Sequence, residues 1–238
     1  IILKIAKGIS KETEQRNLCL AGGVALNCVA NGVLLREGIF DNIWIQPAAG
    51  DAGGAVGAAL CAWHMHFNEN RTLPAGRDGM NGAFLGPEFD CGDVEAELKA
   101  CGARYEKLAE ADLIEQTVTA LQNKQAIGWM QGRMEFGPRA LGNRSIIADP
   151  RSTSMQKQLN LKVKYRESFR PFAPSVLAED VYDWFEHGTD SPYMLFVADV
   201  QVDKRRVMTE AENSLFGIAK LNVPRSSIPA VTHVDYSA

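Results

Sequence analysis

With 238 residues, 46% of them hydrophobic and 23% charged, the chain has enough apolar material for one large domain or two smaller ones. A formal net charge of -4 argues against a general nucleic-acid surface, which needs an excess of positive charge. No run of roughly 18 apolar residues is present to span a membrane. The five cysteines are scattered without a Cys-x-x-Cys pair, so neither a zinc knuckle nor a redox dithiol is indicated, and reduced thiols in the cytoplasm are the simplest reading. No signal peptide is visible, and the start on Ile1 reads as a piece of a longer protein.

In chain order, residues 1–16 read as a helix with Ile2, Ile5 or Ile9 on its apolar side. The run Leu18-Cys19-Leu20-Ala21 suits a strand buried in a parallel sheet, ended by Gly22-Gly23. Residues 24–37 then read as a helix closed by Gly38, 42–45 as a strand, 47–50 as a turn, and 52–67 as a helix rich in small residues. This alternation predicts an α/β unit. Periodicity fades over 68–92, and a boundary near residue 75 divides the chain into 1–75 and 76–238. Beyond it, 93–100 and 112–123 read as helices capped by Asp93 and Asp112. Residues 126–130 read as a buried strand, 152–161 as a short helix and 174–177 as a strand, with weaker strands at 214–218 and 230–234.

Two constellations carry chemistry. In the first, Gly22 and Gly23 lie between a strand and a helix, where bare backbone N–H groups can approach an anion. Asp51, between Gly50 and Gly53-Gly54, repeats that layout. Its carboxylate suits a metal ion or a ligand-bound cation, and suits a simple N-cap equally well. His64 and His66 are two apart, share no helical face and read as surface residues; Cys19 and Cys28 read as core.

The second constellation concentrates Arg133, Arg139, Arg144, Lys162, Lys164, Arg166 and Arg170 in two windows of an acidic chain. Guanidinium forks and ammonium groups in turn-rich sequence suit a small, multiply charged oxyanion such as a phosphate. Glu135 and Glu167 are placed to pair with these arginines; Phe136, Phe169 and Phe172 read as core anchors. Asn143 and Ser145 suit either a phosphate contact or a turn.

The strings from Asn17 to Gly32 and from Pro47 to Leu60, with the arginine loop and the stretch to Ala238, resemble the O-carbamoyltransferase family of nodulation-factor and antibiotic-tailoring enzymes. The resemblance implies an α/β protein: the C-terminal end of an actin/hexokinase-like (ASKHA) domain, then a YrdC-like α/β domain. In the first domain Gly22, Gly23 and Asn27 match the nucleotide-contacting segment. Asp51 matches a late ligand of a divalent metal, usually iron, whose histidine ligands lie upstream in the family. Lys164-Tyr165-Arg166 followed by Arg170-Pro171 matches the Lys-x-Arg pattern of the second domain. By resemblance that domain binds ATP, with magnesium, and carbamoyl phosphate, and makes carbamoyl-adenylate. Lys164, Arg166 and Arg133 are the implied catalytic residues, and Arg139, Asn143, Arg144, Ser145 and Arg170 the implied ligand contacts. The carbamoyl group would pass to a hydroxyl of a small-molecule acceptor, in a cytoplasmic enzyme for which family precedent allows a homodimer. Residues Thr232 to Ala238 resemble a family run in which Tyr236 stands in place of glycine; His233 there is a further candidate. Two other readings are a tRNA threonylcarbamoylation-type enzyme, which shares both domain types, and a nucleotide-binding module without turnover.

Overall fold

The computed structural model describes residues 1–72, 78–186 and 190–238. The chain is mixed α/β with three two-stranded sheets among the described residues, and it forms two compact units. One unit comprises residues 1–100, 130–145 and 191–197; the other comprises 101–129, 146–190 and 198–238. The boundary expected near residue 75 lies outside the described residues.

In the first unit, β1 (Asn17–Leu20) pairs in parallel with β2 (Asn42–Ile45), in register from Asn17↔Asn42 to Leu20↔Ile45. Helices α1 (Ile2–Thr13) and α2 (Cys28–Arg36) supply Ala6 and Leu34, which with Phe40 form one small core against Leu18, Leu20 and Ile43. The buried side of α1 carries Leu3 and Ala6, three apart, whereas Ile5 and Ile9 are exposed, contrary to the expected apolar side. Cys19 is likewise exposed, because β1 buries only alternate residues.

The helix expected over 24–37 is broken in two. A 3₁₀ turn, Gly23–Leu26, precedes Asn27, whose Oδ1 accepts the N–H of Ala30 at 3.1 Å and starts α2 afresh. Gly38, at φ 59°, follows the end of that helix as expected. After the turn at 47–50 comes α3 (Asp51–Cys61), extended by a π-helical turn over Ala62–His66. The larger core of this unit gathers Ala25, Ile45, Ala48, Ala49, Met80, Ala83, Tyr193 and Leu195. Residues 191–197 form a strap over it. The buried Asn31 amide donates to Ala25 O at 2.8 Å and Leu195 O at 3.0 Å, and the Tyr193 hydroxyl donates to Asp78. Helix α4 (Cys91–Ala100) begins earlier than expected, because Asp90 and Asp93 accept each other's backbone N–H.

The second unit holds α5 (Glu110–Gln122), which starts at Ala109 without a side-chain cap; Asp112 sits inside its first turn. Strands β3 (Ile127–Met130) and β4 (Arg144–Ile147), which pair on either side of the arginine loop, each have residues in both units. The former exposes alternate residues instead of being buried throughout. Helix α6 (Met155–Lys162) buries Met155 and Leu159 against Ala230 and Phe172. After α7 (Val181–Trp184), β5 (Phe185–Glu186) pairs antiparallel with β6 (Asp199–Val200) beside a core of Phe185, Ala198, Val200, Ile228 and Val231. Residues 174–177 form no ladder among the described strands, although Val176 packs on this core. Nor are 214–218 and 230–234 strands. The first is the turn and loop between α8 (Glu210–Asn213) and α9 (Ile218–Leu221), which begins at its last residue. In the second, the Ala230 N–H goes to Pro150 O and that of Val231 to Ile228 O, which makes a turn. Among the described residues no helix is long and apolar enough to cross a membrane.

Candidate functional site

Three segments singled out in the sequence meet in the first unit. Gly22 adopts φ 91°, a conformation that favours glycine, and a Cβ on Gly22 or Gly23 would meet nothing within 4 Å. The backbone there is bare and open. Asn27 is exposed, and its side chain is engaged as the cap of α2. Asp51 is exposed in the first turn of α3, whose N-cap is Gly50. Among the described residues no group of three or more His, Cys, Asp or Glu could hold a metal ion. Asp51 therefore offers one carboxylate without a ligand set around it among the described residues.

The arginine loop is organised by Glu135, which is 8% exposed. One of its oxygens, Oε1, accepts backbone N–H groups from Leu141 at 2.7 Å, Asn143 at 2.8 Å and Arg144 at 3.3 Å. Burial pushes this carboxyl up, but the N–H groups of Asn143, Leu141, Glu135 itself and Arg144 together outweigh burial and hold it below its ordinary range. Glu135 was expected to pair with an arginine side chain; it binds the loop backbone instead. Asn143 Nδ2 donates to Arg133 O at 2.7 Å, and Ser145 Oγ accepts the N–H of Gly142 at 3.0 Å. The Arg144 guanidinium donates to the carbonyls of Gln131, Asn143 and Gly132. Arg133 donates to Gly86 O at 3.1 Å and lies 3.5 Å from Glu88. Most of the polar groups of this loop thus shape the loop.

Arg139 reaches further. Its Nη2 donates to Leu26 O at 3.0 Å, while its buried Nε has no hydrogen-bond partner among the described residues. Gly137, at φ 123°, lies against the 47–50 turn so closely that an added Cβ would be 3.2 Å from Ala48 Cβ. Arg139 and Gly137 therefore bring the loop onto the Gly22–Asn27 segment and onto the turn that precedes Asp51.

Lys164, Arg166 and Arg170 belong to the second unit. Arg166 donates Nε–H to Asn160 Oδ1 at 2.6 Å and its backbone N–H to Asn160 O at 2.9 Å, and its guanidinium lies 5.0 Å from the centroid of the Phe172 ring. Its Nη atoms make no hydrogen bond among the described residues. Asn160 is fully buried and donates Nδ2 to Ser168 O at 3.1 Å and Arg170 O at 2.9 Å; Gln156 donates to Phe169 O and Arg170 O. Arg170 pairs with Glu167 at 2.8 Å, an exposed pair of small energetic value. Lys164 is exposed, with no ion pair among the described residues. Tyr165, between Lys164 and Arg166, has φ 49° and is 86% exposed. A non-glycine residue there costs roughly 1–2 kcal/mol, and such strain gathers at functional sites. Phe172 is a core anchor as expected, whereas Phe169 is 40% exposed.

Sequence reasoning missed Asn160 and Gln156. The available signal was an amide next to the buried Leu159, in a helix that otherwise buries apolar residues. At the end of the chain, His233 N–H donates to Ser237 O at 2.8 Å, and Tyr236 holds φ 66° with the Arg205 guanidinium 5.1 Å from its ring centroid.

The family described as Carbamoyltransferase C-terminus matches residues 118–238, and Carbamoyltransferase N-terminus matches 1–60. An uncharacterized protein of Synechocystis sp. is 57% identical over 100% of this chain and 39% of its own length. Nodulation protein NolO of Bradyrhizobium diazoefficiens is 44% identical over 96% of the chain and 38% of its length. Nodulation protein U of Sinorhizobium fredii is 34% identical over 94% of the chain and 33% of its length. The chain thus spans well under half the length of these relatives.

Proposed function

Because the chain belongs to the carbamoyltransferase family, we propose that the complete protein transfers a carbamoyl group to a hydroxyl of a small-molecule acceptor, using ATP and carbamoyl phosphate. Water first hydrolyses carbamoyl phosphate to carbamate and inorganic phosphate; a carbamate oxygen then attacks the α-phosphorus of ATP, the bond to the β-phosphate oxygen breaks, and pyrophosphate leaves. The acceptor oxygen then attacks the carbonyl carbon of the carbamoyl-adenylate, losing its proton, and adenosine monophosphate leaves. The attack on ATP brings two anions together, so cationic groups at the reacting phosphate lower its barrier.

The observation that carries this reading is Arg166, fixed at Nε by Asn160 and against Phe172, with no hydrogen bond at its Nη groups among the described residues; Lys164, two positions before it, is exposed. The second unit is read as the YrdC-like, adenylate-forming half, and Lys164, Arg166 and Arg170 as its phosphate contacts. The first unit is read as the end of the ASKHA-type transfer domain, with Gly22, Gly23 and Arg139 toward the nucleotide. Asp51 would be the one contribution of this chain to an iron site there, and magnesium would accompany ATP.

The test is carbamoyl-phosphate-dependent ATP–pyrophosphate exchange by the complete protein. Loss of one such contact is worth about 2–4 kcal/mol, so Lys164→Ala and Arg166→Ala should each slow exchange by roughly 30-fold or more. Wild-type exchange in both variants would remove the assignment. Incorporation of bicarbonate and threonine would instead point to the tRNA-modifying type, and nucleotide binding without any product to a module without turnover.

A further inference from the structure

We infer that Asn160 is the positioning residue for Arg166: its neutral amide fixes the guanidinium at Nε without adding a countercharge, and leaves the two Nη groups for a phosphate. Asn160 is 0% exposed, and its side chain contacts three positions of the following turn. Oδ1 accepts from Arg166 Nε, while Nδ2 donates to Ser168 O and Arg170 O; the backbone carbonyl of Asn160 accepts the N–H of Arg166. A carboxylate at this position would still accept from Nε, but it would neutralise the guanidinium and could not donate to the two carbonyls. An apolar side chain could do neither. With Nε engaged and the guanidinium over the Phe172 ring, the remaining donors of Arg166 are its two Nη groups, a fork suited to two phosphate oxygens.

This inference rests on the reading that Arg166 contacts a phosphate-bearing substrate. It is tested in the complete protein with Asn160→Asp, Arg166→Lys and Arg166→Ala, measuring KM and kcat of exchange for ATP and for carbamoyl phosphate. A positioning role predicts that Asn160→Asp raises one of these KM values at least tenfold. It also predicts that Arg166→Lys, which keeps the charge but has no Nε–H for Asn160, behaves like Arg166→Ala. In the Arg166→Ala background, Asn160→Asp should add nothing. Should Asn160→Asp fail to fold, Arg166→Lys still decides. Wild-type KM in Arg166→Lys overturns the inference, as does an Asn160→Asp effect of equal size with and without Arg166. Wild-type kinetics in Arg166→Ala would instead remove the functional reading itself, and this inference with it.

Discussion

Glu135 Oε1 accepts the backbone N–H of Asn143 at 2.8 Å, and the same oxygen also holds Leu141 and Arg144, so one carboxylate fixes the return of the arginine loop. Replacing Glu135 by Gln keeps an acceptor but removes its charge, and should destabilise the protein by about 1–2 kcal/mol at neutral pH. The folded carboxyl titrates below its ordinary value of 4.5, so its contribution is fully present above that value and is lost as pH falls through the folded value. Urea unfolding of both proteins should therefore show a gap at neutral pH that closes on acidification below 4.5. A gap that does not depend on pH would contradict the role of the charge.

Two glycines should respond to alanine with opposite signs. Gly137 has φ 123° and would place a Cβ 3.2 Å from Ala48 Cβ, so Gly137→Ala should cost about 2–3 kcal/mol. Gly8 lies inside α1 with nothing within 4 Å of an added Cβ, so Gly8→Ala should stabilise by about 1 kcal/mol. Thermal unfolding followed by circular dichroism distinguishes the two.

The strap at 191–197 depends on Asn31, which is 1% exposed and donates to the carbonyls of Ala25 and Leu195. Asn31→Ala leaves both acceptors without this donor in a buried setting and should cost about 2–3 kcal/mol. Amide hydrogen exchange should accelerate over 191–197 more than in β1 and β2. Equal acceleration everywhere would mean that the strap has no separate stability.

At the start of α8, Glu212 accepts from Arg206 Nη2 at 2.6 Å and from the N–H of Thr209 at 2.9 Å. These partners, Arg206 first, push its carboxyl down to about 2. Carboxyl resonances followed by NMR should give that midpoint, and Arg206→Ala should move it back toward 4.5. Because the folded value is depressed, the pairing stabilises above 4.5 and is lost as pH falls toward about 2.

Local pattern by itself determined a good part of this chain. Short apolar runs bounded by glycines and turn residues located β1, β2 and the helix after Asp51, because such runs and the turns that end them are properties of short segments. The clustering of Arg133 to Arg170 was equally visible, since charge is written in composition. Where a local competitor acts, the same pattern misleads: Asn27 divides a run that reads as one helix, and Asp90 with Asp93 starts α4 early. Only the tertiary structure decided which partners the basic residues meet. The contact of Arg139 with Leu26 spans 113 positions, and that of Asn31 with Leu195 spans 164. It is folding that assigns the arginine loop to the first unit and Arg166 to the second. Seven cations that look equivalent in sequence separate into loop-shaping groups such as Arg144 and a fixed guanidinium with unpaired donors, Arg166. The physical reason is that a hydrogen bond records where a side chain ends up, whereas sequence records only which groups are available to make one.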